Sequence, residues 1–138
     1  MEDGFLHDIE ALAERDGRYG RAAYLFVYDA LQYTVEKLGK VSMPRDQRHV
    51  SGRDLLYGIS EYALDQFGPL TQAVFDHWGI RQTRDFGEIV FNLVNDNLMS
   101  ATESDRIEDF VDVFDFSEEL NWSRRRSEFR RAAAPAAE

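Results

Sequence analysis

Apolar and polar residues alternate along most of this chain with the period of a helix. Over residues 83–99, TRDFGEIVFNLVNDNLM, the apolar positions Phe86, Ile89, Val90, Leu93, Val94 and Leu98 follow at steps of three, one, three, one and four. Arg84, Asp85, Glu88, Asn92, Asn95 and Asp96 take the other side. Such a broad stripe predicts an amphipathic helix that docks on something. Thr83 stands where an N-cap belongs, and Asp85 and Glu88 place negative charge near the positive end of the helix dipole. An interior glycine costs about 1 kcal/mol against alanine, so Gly87 predicts that another group approaches this helix closely.

The same period predicts four helices before this one. The first runs over 5–15 through Phe5, Leu6, Ile9, Leu12 and Ala13 and stops at Asp16-Gly17. In the second, 18–38, the positions Gly20, Tyr24, Val27, Leu31, Thr34 and Leu38 are spaced alternately by four and three, a seam suited to lengthwise packing on a neighbour. Gly39 closes it as a left-handed cap. The period lapses over 40–49, which contains Pro44 and reads as a surface loop. Ser51 caps a third helix whose buried face is Leu55, Leu56, Ile59, Tyr62, Ala63 and Phe67. Gly68 ends it, and Pro69 opens a short fourth helix that Gly79 ends.

After Met99 the pattern changes. Residues 98–101 and the aromatic, β-branched run 110–116, FVDVFDF, predict two strands joined by a polar turn. Ser117 caps a last turn through Leu120, and Trp122 is the final apolar anchor. The expected architecture is mainly α: a single domain over 1–122 of about five helices with a small C-terminal β-hairpin, followed by a disordered basic and alanine-rich tail over 123–138. By analogy alone, the element order of 50–116 is winged-helix-like, with the 83–98 helix in third place.

Charge changes that picture. The 138 residues carry a net charge of −10. Residues 1–122 alone hold 24 acids against 11 bases, while 123–138 hold five bases against two acids. An acidic body disfavours polyanions, whose binding depends on Lys and Arg. The exposed side of the 83–99 helix and the proposed wing are acidic too, so nucleic acid is not expected except through the tail. No cysteine is present, which excludes disulfides, thiolate metal sites and thiol nucleophiles. The acidic N-terminus lacks a secretory pattern, and apolar runs such as 22–28 fall far short of the ~20 residues of a membrane span. A cytoplasmic protein with no membrane association is expected.

The run HVSGRDLLYGISEYALDQFG over 49–68, with WGI at 78–80 and TRDFGEIVFNLV at 83–94, resembles an uncharacterised family of small bacterial proteins. The resemblance spans residues 24–116. It implies a bacterial, cytoplasmic, single-domain protein and brings no functional residue, cofactor or partner.

Candidate chemistry is sparse. His7, His49 and His77 are not spaced to share a helix face as metal ligands, and no catalytic, cofactor-binding or metal residue is assigned. His49, Ser51 and Arg53 form a possible anion site, because basic groups there meet the free N–H groups of a helix start. The acidic run 103–119, eight carboxylates and one arginine, lacks the spacing of a calcium loop and reads as a solvated face. Tyr19, Phe26, Tyr28 and Tyr33 widen the apolar surface of the second helix beyond its seam, a candidate interface for a protein partner or a second copy. Arg124, Arg125, Arg126, Arg130 and Arg131 are possible tail contacts. The expected function is a non-enzymatic protein–protein interaction or regulatory module. The alternatives are a winged-helix nucleic-acid-binding regulator, or a small-anion-binding enzyme or sensor using the 49–53 helix start.

Overall fold

The structure is a computed structural model that describes residues 3–102 and 104–133. Its helices are α1 (Asp3–Asp16), α2 (Arg21–Lys37), α3 (Gly52–Phe67), α4 (Thr71–His77), α5 (Thr83–Asn95), α6 (Phe116–Glu119) and α7 (Trp122–Ala133). Short 3-10 turns lie at Arg45–Gln47, Gly68–Leu70 and Ile107–Phe110. Among the described residues no helix is long and apolar enough to cross a membrane.

The α5 stripe occupies the centre. Phe86, Ile89 and Leu93 are fully buried among Ile9, Tyr24, Val27, Leu56, Ile59 and Phe75. α2 packs lengthwise on α3, and the contact is close because Gly58 has no Cβ. A Cβ there would overlap Thr34 Oγ1, a buried hydroxyl that donates to the Ala30 carbonyl at 2.7 Å. The close approach expected at Gly87 is also present, since a Cβ there would lie 2.8 Å from Ile107 and from Phe110. A polar staple ties the α1–α2 junction to α5. Arg18 pairs with Asp16 and with Glu88, at 2.9 and 2.8 Å, and Asn92 donates to the buried Tyr24 hydroxyl at 3.0 Å.

Two helix ends follow the expected caps. Ser51 Oγ accepts the Asp54 N–H at 3.1 Å. Gly39 takes φ 71° while the Lys40 N–H returns to the Val35 carbonyl at 3.0 Å, a left-handed C-terminal motif. Thr83 is a correction. Gln82 precedes the first turn of α5 and Asp85 accepts its N–H at 3.1 Å, while the Thr83 hydroxyl is buried and donates to the Phe110 carbonyl at 2.6 Å.

The predicted β-hairpin is absent: the described residues contain no β-strand, so the winged-helix analogy loses its wing. Backbone groups that a ladder would have paired go elsewhere. Thr83 takes the Phe110 carbonyl and also accepts the Val113 N–H at 3.2 Å, and residues 107–110 coil into a 3-10 turn. Asp112 adopts φ 50°, which interrupts an extended run. What forms is an irregular strap held on α5 through Phe110. The stretch expected to be a disordered tail contains α7, which spans Trp122–Ala133.

Candidate functional site: a groove beside the start of the third helix

A groove of about 670 Å³ opens between α2, the start of α3, the end of α5 and the segments that follow it. Its floor includes Leu31 and Val35 of α2, Leu55 of α3, Val90 and Phe91 of α5, and Phe110. Leu98 and Met99 join it because α5 ends in a left-handed motif. Asn97 takes φ 62° and the Leu98 N–H bonds to the Leu93 carbonyl at 2.8 Å, which turns the chain back along its own helix. Phe110 reaches the groove because Gly52 leaves room for its ring, which lies 2.8 Å from where a Cβ would stand.

The rim is polar and comes from two loops. Arg48 is half-buried and uses Nε to donate to the Met43 carbonyl at 2.7 Å. Lys40 Nζ donates to the His49 carbonyl at 2.6 Å. Across the mouth, Asp105 accepts the Thr102 N–H at 2.7 Å, and His49 Nε2 meets its other carboxylate oxygen at 3.1 Å. One imidazole–carboxylate contact therefore joins the loop before α3 to the loop after α5.

These contacts give the groove direction. At one end Tyr28 stacks on Phe5 of α1, with ring centroids 4.9 Å apart. At the other, Val35 lies close in the chain to Lys40, which holds the His49 loop. Seven residues of α2 separate Tyr28 from Val35, about 10 Å of helix. The Lys40 N–H bonds to the Val35 carbonyl, and the bonds from Lys40 to His49, from Arg48 to Met43 and between His49 and Asp105 tie these side chains to the Val35 end.

The structure disperses the predicted anion site. His49 is on the groove rim. Ser51 Oγ is engaged as the α3 cap. Arg53 lies outside the lining, its guanidinium 5.5 Å from the centroid of the Tyr57 ring. Arg48, its neighbour in the chain, and Asp105, which local spacing did not single out, line the groove with His49.

The predicted interface residues serve the chain's own packing. Tyr19 and Phe26 are buried, at 6% and 7% exposure. The Tyr19 hydroxyl donates to Asp85 at 2.6 Å, and burial together with that carboxylate pushes its pKa well above the usual tyrosine value. Phe26 sits among Tyr62, Phe67, Phe75 and Trp78, with centroids 5.3–5.8 Å away. Tyr28 lies between Phe5 and the groove. Tyr33 packs on Tyr62 and donates to Glu61 at 2.8 Å; burial and Glu61 push its hydroxyl up to about 12.

Of the tail arginines, Arg125 forks onto Asp65 of α3 at 2.9 and 3.1 Å. Arg124 meets Glu119 at 3.4 Å, and Arg126 is exposed. The side chains of Arg130 and Arg131 lie outside the described residues. A second, more open depression of about 490 Å³ includes Gln72, Arg81, Gln82 and Asp112 in its lining. Among the described residues no three His, Cys, Asp or Glu side chains are grouped to hold a metal ion. No protein-family model, curated protein or solved structure matches this chain.

Proposed function

We propose that this chain is a non-enzymatic regulatory module that receives a small apolar molecule in the groove beside α3. One observation carries the reading: a groove of about 670 Å³ lined by aliphatic and aromatic side chains, with Arg48, His49 and Asp105 on loops tied to the Val35 end of α2. Small-molecule sites share that size, and the lining sets apolar side chains beside polar ones such as Arg48, His49 and Asp105. The competing idea of an aromatic protein interface on α2 has lost much of its surface to intrachain packing, since Tyr19 and Phe26 are core residues. As part of the same proposal, the protein works in a bacterial cytoplasm, in keeping with its cysteine-free sequence.

The test uses N-phenyl-1-naphthylamine, an uncharged fluorophore that brightens in apolar sites. The expected result is saturable one-to-one binding to the wild-type chain. Ala101 is exposed, lies outside regular structure and lines the groove, so Ala101→Trp fills the groove without replacing a core residue. Probe binding that Ala101→Trp and Gln32→Trp both leave unchanged would refute the groove as the binding site.

A further inference from the structure

We infer that the molecule this groove takes is a single-chain amphiphile with an anionic head, of the medium-chain carboxylate class, its tail lying along α2 and its head at Arg48. The inference rests on the groove reading above and adds the chemistry of the occupant.

Shape argues for one chain. The groove follows α2 for about 10 Å, the length of a medium alkyl chain, with Leu31, Val35, Val90, Phe91, Leu98 and Met99 offering aliphatic or aromatic contact. The charged groups of the lining lie on the loops tied to the Val35 end, while along α2 the other end offers the half-buried Tyr28 phenol and the exposed Gln32 amide, so a charged head finds a charged partner at one end.

The state of each charged group argues for an acid. Both Asp105 oxygens are engaged, one by the Thr102 N–H and one by His49. Asp46 also lines the groove but is exposed, so water screens it. Lys40 is committed to the His49 carbonyl. Arg48 is half-buried, and its one hydrogen bond among the described residues uses Nε. Among the described residues the two η nitrogens make no hydrogen bond, Arg48 lines the groove, and a carboxylate fits a guanidinium fork. The net charge of −10 opposes an anion at long range, but at physiological salt that field is screened beyond about 8 Å. The nearest half-buried cation therefore decides the sign of the head.

The experiment displaces N-phenyl-1-naphthylamine at pH 7 with decanoate and with decanol, on the wild-type chain, Arg48→Gln and Arg48→Lys. Arg48→Gln is expected to weaken decanoate about tenfold, the worth of one charge-assisted hydrogen bond. Decanol, which has no carboxylate, should shift by less than about twofold, because it loses no charge-assisted bond, and its binding shows that the variant is folded. Arg48→Lys keeps the charge and loses the fork, so it falls between. In the series hexanoate, octanoate, decanoate, each added pair of methylenes should tighten binding roughly tenfold. If Arg48→Gln leaves decanoate unchanged, or weakens both ligands equally, the anionic head is refuted while the groove reading stands. The anionic head is likewise refuted if the probe binds in the groove but neither ligand displaces it. If the probe itself does not bind, both readings fall.

Discussion

Replacing Gly58 by alanine separates two opposite expectations. Helix propensity alone makes Gly58→Ala stabilising by about 1 kcal/mol, because it removes an interior glycine from α3. The structure reverses the sign. The new Cβ would overlap Thr34 Oγ1, with Thr34 Cβ 2.9 Å and Cγ2 3.0 Å away. Thr34 is 3% exposed, so it cannot swing into solvent, and α2 must move off α3 or Thr34 must leave its rotamer. Overpacking of this kind costs about 1–3 kcal/mol, and the strained Thr34–Ala30 hydrogen bond adds about 1 kcal/mol. Against the propensity gain, the net is a loss of about 2 kcal/mol, or a fall in Tm of about 6 °C for a chain of this size. Urea denaturation followed by circular dichroism measures it. Thr34→Ala removes the Oγ1 overlap and leaves only the Cβ contact, so the double variant should recover to within about 1 kcal/mol of Thr34→Ala alone. Because α2 and α3 are two walls of the groove, Gly58→Ala should also weaken binding of the naphthylamine probe, and the double variant should restore it. A Gly58→Ala chain as stable as wild type, or more so, would refute the close helix contact.

Three other predictions test the elements that frame the groove. Thr83→Val keeps the shape of the side chain but leaves the Phe110 carbonyl and the Val113 N–H without their partner; a loss of about 3 kcal/mol is expected, with faster amide exchange at Val113. Trp122→Ala combined with Arg125→Ala should melt α7, because a helix of 12 residues detached from its support is too short to persist in water; far-ultraviolet circular dichroism would lose that helix while the main Tm moves little. Acid should destabilise the fold in a defined window. At Asp16 and Glu61 burial acts to raise the pKa, but Arg18 at the first and Lys37 and Tyr33 at the second outweigh it and hold both carboxyls below their usual values of 3.8 and 4.5. A carboxyl depressed in the folded state stabilises above its unfolded pKa and loses that contribution as pH falls through its folded pKa. Tm should therefore hold from pH 7 to about 5 and drop below about 4, and Glu61→Gln should flatten part of the fall.

The helices were legible because their determinants are local. Ser51 with Asp54 marks the start of α3, Gly39 and Gly68 mark the ends of α2 and α3, and Gly87 announced a close neighbour without naming it. The 98–116 segment was misread because its composition is β-like while its conformation depends on remote groups. Phe110 and Val113 bond to Thr83, 27 and 30 residues away, and no periodicity carries that information. The aromatic surplus on α2 was real, but periodicity cannot tell whether a wide apolar face is covered by a partner or by the chain itself. Here Phe5, Tyr62, Phe67 and Trp78 cover it. The groove was half legible: His49 stood out as a residue, but its partner Asp105 is 56 positions further on.

The way the groove is assembled separates stability from binding. Its floor consists of residues that helices bury for their own docking, such as Val35, Leu55 and Val90 at 8%, 4% and 7% exposure. Its rim comes from loops 40–49 and 100–105, whose polar side chains hold the backbone of those loops. Loops supported by a rigid scaffold are where binding groups can vary without disturbing the core. Truncating Val35 or Leu55 would therefore lower stability and binding together, so neither variant could distinguish a ligand contact from a packing contact. Changes at Arg48 or Ala101 alter what the groove meets while leaving the α2–α3–α5 core in place. A loss of binding at Arg48 or Ala101 with Tm unchanged would therefore count as recognition rather than unfolding.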